Sequence, residues 1–193
     1  MRRAANIEID INEGPRVYVN SINIIGNTRT LDRVIRREMG LSEGDAYNKF
    51  TMNYSKDSIR ATNFFSSVEI NDERSNFPDK IDLIVDVEEK NTGEATIGAG
   101  YSSSTAGSIT LGLRENNFLG KGVKLSTGLR VSEERLRGNF TVTNPNFNYS
   151  DKALSTDIFL TDTDKLTDSG YKSTNAGFSL GTAFEQYDDF FFR

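Results

Sequence analysis

The stretch Gly93-Glu94-Ala95-Thr96-Ile97-Gly98-Ala99-Gly100-Tyr101-Ser102 decides the fold. Ala95, Ile97, Ala99 and Tyr101 share one phase of a two-residue repeat, and Thr96, Gly98, Gly100 and Ser102 share the other. That is a β-strand with one apolar face and one small, polar face. Outward along the chain the pattern recurs. Ile109, Leu111 and Leu113 alternate with Ser108, Thr110, Gly112 and Arg114. Beyond a turn at Leu119-Gly120-Lys121-Gly122, Val123, Leu125, Thr127, Leu129 and Val131 alternate with Lys124, Ser126, Gly128 and Arg130. Phe140 and Val142, then Leu154, Ile158 and Leu160, then Ala176, Phe178, Leu180 and Phe184 predict about three more strands. Each has roughly the 9–11 residues that a tilted bilayer-spanning strand needs. A soluble antiparallel sheet with one face on a core gives the same period, so periodicity leaves both readings open.

Composition narrows the choice. Of 193 residues, 36% are hydrophobic and 26% charged, which is lean for a chain with a large two-sided core but sufficient for a wall that buries one face in lipid. There is no Cys and no His. That removes disulfides, thiolate metal sites and the commonest general base, so no catalytic centre, no metal and no cofactor is expected. A net charge of −5 lacks the basic footprint of nucleic-acid binding. No run approaches the roughly 20 apolar residues of a membrane helix. Met1-Arg2-Arg3 is followed by alternating residues and not by an apolar run, so no export signal is recognised; either the chain begins inside a longer protein or the membrane reading fails.

On the N-terminal side, Ile7, Ile9 and Ile11 place a short strand at 5–11. It reads as the end of a preceding domain (residues 1–13) or as a leader without fixed structure. Val17, Val19, Ile22, Ile24 and Ile25 form the next strand, closed by Gly26-Asn27. A helix is expected to follow, capped by Thr30, with Leu31, Val34, Ile35 and Met39 on its buried face and Gly40 at its end. A second helix is predicted over 48–63 through Met52, Ser55 and Ile59. A strand at 65–72, a turn at Asp72-Glu73-Arg74-Ser75-Asn76, and a last strand through Ile81, Leu83, Val85 and Val87 complete a β-α-α-β-β unit over residues 14–91. Two helices on one face of three strands make a small α+β domain.

Gly14-Pro15-Arg16-Val17-Tyr18-Val19, Ile24-Ile25-Gly26-Asn27-Thr28 and Arg36-Arg37-Glu38-Met39 resemble the last polypeptide-transport-associated (POTRA) domain of the BamA family of outer-membrane assembly factors. Asn63-Phe64-Phe65-Ser66-Ser67-Val68 and the run from Val85 to Gly93 look like the end of that domain and its passage into a barrel. Glu115-Asn116-Asn117-Phe118-Leu119-Gly120 and Val142-Thr143-Asn144-Pro145-Asn146-Phe147 look like the second to fourth barrel strands. The resemblance implies an α+β POTRA domain followed by antiparallel transmembrane barrel strands over 92–193, an incomplete barrel of about six strands. It implies no enzymatic activity. It also implies a location in the Gram-negative outer membrane with the POTRA domain in the periplasm. Unfolded outer-membrane protein clients, Bam-type lipoproteins and outer-membrane lipid would be the partners. The upstream POTRA domains, the closing strand and the family's internal Arg-Gly-Phe loop have no counterpart in this sequence.

Two strand edges are the implied sites. Ala95, Thr96, Ile97, Gly98, Ala99, Gly100 and Tyr101 would form the gate strand that pairs with an incoming client. Ser66, Ser67, Val68, Glu69 and Ile70 would form the POTRA edge that binds partners by strand addition. Asp162, Asp164 and Asp168 invite a calcium loop, but Leu166 stands where a ligand is needed, and a solvated loop is expected instead. Arg114, Lys124, Arg130 and Asp157 fall on the polar face, towards a wet lumen. Glu133-Glu134 and Asp188-Asp189 read as rim charges. Two other functions fit the pattern. One is a two-partner secretion or autotransporter-assembly transporter of the same superfamily; the other is a soluble α+β binding module.

Overall fold

A computed structural model describes residues 15–102, 106–150, 152–187 and 190–192. The strand expected at 5–11 and the boundary at residue 13 lie outside these residues, as do Asp188 and Asp189.

The first unit begins with β1 (Tyr18–Ile25), α1 (Asp32–Arg36) and α2 (Lys49–Ala61), and ends with β2 (Phe65–Arg74) and β3 (Lys80–Glu89). Its sheet has the order β1-β3-β2, with β1 parallel and β2 antiparallel to the central strand. The central strand reads as a buried one, since Leu83 and Val85 have no exposed surface. Ile59 from α2, Val34 and Ile35 from α1, and Val19, Val68 and Val87 close on them to form one core. Asn48 caps α2, its side-chain oxygen accepting from the Phe50 amide at 2.8 Å. Phe64 and Phe65 seal the end of the core edge-to-face, 6.3 Å between ring centres.

Three expectations are corrected. Helix α1 spans five residues, with Leu31 at its N-cap and no side-chain cap; Leu31 is 39% exposed and leaves the core to Val34 and Ile35. After Arg36 the chain tightens into short-range turns, Glu38 N–H to Ile35 and Met39 N–H to Arg36. The expected turn at 72–76 is displaced, because Asp72, Glu73 and Arg74 still pair with Leu83, Asp82 and Ile81. Exposed charged residues on an outer strand do not interrupt a ladder whose partner strand is long enough to continue it.

The second unit is a seven-stranded antiparallel sheet of order β10-β9-β8-β7-β6-β5-β4. Its strands are β4 (Gly93–Ser102), β5 (Ala106–Phe118), β6 (Val123–Ser132), β7 (Arg135–Asn144), β8 (Lys152–Lys165), β9 (Tyr171–Tyr187) and the three-residue β10 (Phe190–Phe192), with α3 (Leu166–Ser169) between β8 and β9. The six long strands match the number expected. The register aligns the two phases across the whole sheet. Ile97, Leu111 and Leu129 lie side by side, as do Phe140, Ile158 and Phe178, all on one face. Arg114, Ser126, Thr141, Asp157 and Ser179 run across the other. Among the described residues no layer covers the apolar face, and Ile97, Phe178 and Leu180 are 83%, 76% and 67% exposed. Asp162 and Asp164 are corrected from loop to strand β8, where Asp162 accepts from Thr174 and Asp164 pairs with Lys172 at 3.3 Å.

Candidate functional site

Strand β4 is the outermost strand of the larger sheet. Ten consecutive partners, from Gly93–Glu115 to Ser102–Ala106, join it to β5 without a register shift. Among the described residues no strand pairs with its other side. Ala95, Ile97, Ala99 and Tyr101 stand on the apolar face opposite Leu113, Leu111, Ile109 and Gly107, while Thr96, Gly98 and Gly100 stand on the polar face opposite Gly112, Thr110 and Ser108. Outer strands are ordinarily blunted by charges, prolines or bulges. This one has a single charged residue, Glu94, with no proline and no bulge. Its backbone edge is therefore regular, and no described strand covers it.

Strand β2 is the outer strand of the smaller sheet, and it is built differently. Val68 and Ile70 point into the core, whereas Ser66, Ser67 and Glu69 are exposed. Two cations of α2 reach this strand. Lys56 Nζ meets Glu69 at 2.5 Å, and Arg60 Nη2 meets the Glu69 carboxylate at 3.2 Å and the Val68 carbonyl at 3.1 Å. The Lys56 hydrogen bond leads in holding the Glu69 carboxyl below its usual range. This edge is bridged by side chains along its middle; at β4 the side-chain bonds to backbone lie towards its ends, where Asn91 Oδ1 accepts from the Gly93 amide at 3.2 Å and Ser108 Oγ donates to the Gly100 carbonyl at 3.5 Å.

The two units meet at a junction that sequence reading missed. Glu89, the last residue of β3, accepts from the amides of Thr30 at 2.6 Å and Arg29 at 3.0 Å and from the Thr28 hydroxyl at 2.9 Å. Burial pushes the Glu89 carboxyl up, but these bonds outweigh it and hold it below the ordinary glutamate range. Thr30 is thus no helix cap. Its amide belongs to Glu89, and its hydroxyl accepts from Asn117 Nδ2 at 2.8 Å, near the end of β5. The Leu31 amide donates to the Gly120 carbonyl at 2.9 Å, and Asn117 Oδ1 accepts the Gly122 amide at 2.8 Å. Gly120 has φ +67°, and a Cβ there would lie 1.9 Å from the Arg29 carbonyl oxygen, so only glycine allows this approach. The available signal was the clustering of Asn, Gly and a buried threonine around two turns, which turn rules alone cannot tie together.

Comparison with known proteins assigns both units. Residues 17–90 match the family model described as POTRA, "Surface antigen variable number repeat", and residues 117–191 match the Omp85 superfamily domain. The outer membrane protein assembly factor BamA of Neisseria meningitidis is 29% identical over 91% of this chain, and that of Nitratidesulfovibrio vulgaris 31% identical over 78%. These alignments cover 23% and 19% of the two relatives, so the chain spans about a fifth to a quarter of their length. The crystal structure of BamA from Haemophilus ducreyi lacking POTRA domains 1–3 superposes with a TM-score of 0.79 at 30% identity, over 92% of this chain and 34% of that one. CdiB from Acinetobacter baumannii, at 15% identity and a TM-score of 0.56 over 89% of this chain and 34% of its own, shares the fold alone. An apolar sheet face with no described protein layer over it agrees with these matches. The chain belongs to the Omp85 superfamily: it is an outer-membrane protein that joins a periplasmic POTRA domain to barrel strands resembling those of BamA.

Proposed function

We propose that this chain acts in the assembly of β-barrel proteins into the outer membrane, and that β4 is the strand on which an unfolded client strand is received. One observation carries the mechanism: β4 is an outer strand that no described strand pairs with on its far side, with no bulge and one charge. Backbone pairing reads hydrogen-bond geometry and is largely indifferent to side chains, which suits clients of many sequences. The small residues of the polar phase, Thr96, Gly98 and Gly100, leave room for a partner's side chains, while Ile97 and Tyr101 keep the new strand's membrane face apolar. Chemistry is not required of the site; its work is templating. The POTRA edge at Ser66, Ser67, Val68, Glu69 and Ile70 is a second place for strand addition, with Bam-type lipoproteins or clients as its partners. There an arriving strand displaces Arg60 from the Val68 carbonyl, so that edge is the weaker of the two. Outer-membrane lipid covers the apolar face.

The test uses a proline at the centre of the edge. Ile97→Pro removes a ladder donor and is expected to abolish client assembly while the POTRA domain stays folded; Ile97→Val, which keeps shape and face, is expected to be nearly silent. A cysteine at Thr96 or Gly98 should crosslink to a client's terminal strand during assembly, and one at Asp164 should not. Capture of clients at Asp164 and none at the β4 positions would end the proposal.

A further inference from the structure

The polar face of the larger sheet holds a cluster of cations that its register makes unfavourable on its own. Arg130 of β6 and Arg137 of β7 are direct cross-strand partners. Arg135 lies two residues from Arg137 and therefore on the same face. Opposed residues in an antiparallel pair have their Cβ atoms about 4.5–5.5 Å apart, where like charges repel. Among the described residues, no carboxylate, carbonyl or hydroxyl accepts from the guanidinium groups of Arg130, Arg135 or Arg137. A fourth cation, Lys165 of β8, does have a partner, Glu134 at 3.1 Å. Together with Ser108 and Ser132 these side chains line a cavity of about 170 Å³.

We propose that Arg130, Arg135 and Arg137 form an oxyanion-binding site whose occupant is a carboxylate-bearing segment of polypeptide in the barrel lumen. Three guanidinium groups offer forked donors that match carboxylates bidentately, and an arriving carboxylate removes the repulsion that the register imposes. The position excludes a headgroup from the surrounding bilayer. Leu136 and Val131 pair on the opposite, apolar face of the same two strands, so the arginines face away from lipid. With the POTRA domain in the periplasm and β4 leaving it, the turn between β6 and β7 lies at the extracellular end. The site is thus at the outer mouth of the lumen. The Glu134–Lys165 pair shows a protein carboxylate already seated among these cations. The site rests on the lumen assignment of this face, but its test measures anion affinity and not client assembly, so the two readings fail separately.

The whole chain, refolded in a nonionic detergent, is titrated with a fluorescein-labelled hexaglutamate peptide and followed by anisotropy. Binding should be salt-dependent, and Arg130→Gln and Arg137→Gln should each weaken it about tenfold, in line with the loss of one charged hydrogen-bonded contact. Lys124→Gln, on the same face but at the periplasmic end, should leave it unchanged. Arg137→Glu should abolish binding while raising the thermal stability of the empty chain, because the opposed pair becomes attractive. A residue kept for structure alone would not move these two readouts in opposite directions. Wild-type affinity in all three arginine variants would overturn the proposal. So would one-for-one displacement of the peptide by inorganic phosphate at equal concentration, or binding only to micelles of a phosphorylated lipid, which would assign the cluster to a free anion or to lipid.

Discussion

The two sheets of this molecule share a two-residue alternation of apolar and polar residues, yet they dispose of their apolar faces in opposite ways. Among the described residues every buried apolar side chain lies between Val19 and Val87. The larger sheet, with more strands, buries none among the described residues, and its apolar residues stand in register on one face. In the POTRA unit the sheet is sealed by α1, α2 and the two phenylalanines; in the larger sheet no described layer covers the apolar face, whose proposed covering is lipid. What distinguishes them in sequence is the chain between strands and the polar phase: amphipathic helical segments interrupt the first, whereas the second runs strand after strand with Gly, Ser, Thr and spaced charges such as Arg114 and Asp157 in its polar phase.

Separating the halves breaks the comparison most severely. Residues 15–91 are expected to be monomeric and folded in plain buffer, and residues 92–193 to need detergent or lipid; size-exclusion chromatography with circular dichroism reads both. A folded, monomeric 92–193 in buffer would mean that its apolar face is covered by protein after all.

A matched pair of truncations comes next. Leu83 has no exposed surface and Leu111 is 44% exposed. Leu83→Ala should destabilise the POTRA unit by about 2–5 kcal/mol through the cavity it leaves. Leu111→Ala should cost about 1 kcal/mol or less in vesicles, because lipid tails fill the space that a rigid core would leave empty. Urea unfolding of each unit in its own solvent measures both, and equal costs would contradict the difference in covering.

Polarity sharpens the contrast within one strand. Leu111 lies between Ile97 and Leu129 on the apolar face, near the middle of β5, and Arg114 sits between Glu94 and Ser126 on the polar face. Leu111→Arg should cost about 2–4 kcal/mol of membrane stability, and Arg114→Leu little, since the lumen accepts either. Protease protection after reconstitution distinguishes them; comparable damage would mean that the faces are exchanged.

Much of this was legible in residues. Ile97, Leu111, Leu129, Phe140, Ile158 and Phe178 were assigned to one face from spacing alone, and the register aligns them. The order of the POTRA elements and the burial of Met52, Ser55 and Ile59 also followed from period and turn signals. The outer strands were placed, β2 and β4 alike, because strand count and order come with the resemblance. What did not follow were contacts made by single atoms across the chain. Thr30 has every local mark of a helix cap, but Glu89, 59 positions away, takes its amide. Likewise Arg130 and Arg137 are separated by an ordinary hairpin, and only the register sets them opposite one another. Local rules describe a residue's neighbours in sequence; these roles depend on neighbours in space.

The smallest expected effect is at the hinge between the regions compared. Glu89 holds the loop 28–30 with three donors, and that loop in turn meets Asn117 and Gly120 of the barrel unit. Because the folded-state pKa of Glu89 is depressed, its contribution is present above the ordinary glutamate pKa of about 4.3 and is lost as pH falls through the depressed value. Glu89→Gln keeps one acceptor but loses the charge and turns an amide donor toward the loop's own amides. It should cost about 1–2 kcal/mol at neutral pH and remove the acid-dependent step. The Thr30 amide proton, followed by NMR from pH 7 down to about 3 in the soluble POTRA unit, reports it directly, with a midpoint below that of an ordinary glutamate. If the midpoint is ordinary, or the glutamine variant titrates like the parent, the loop is held by the barrel contacts instead. The junction would then belong to the lipid-facing half of the molecule and not to the half with its own core.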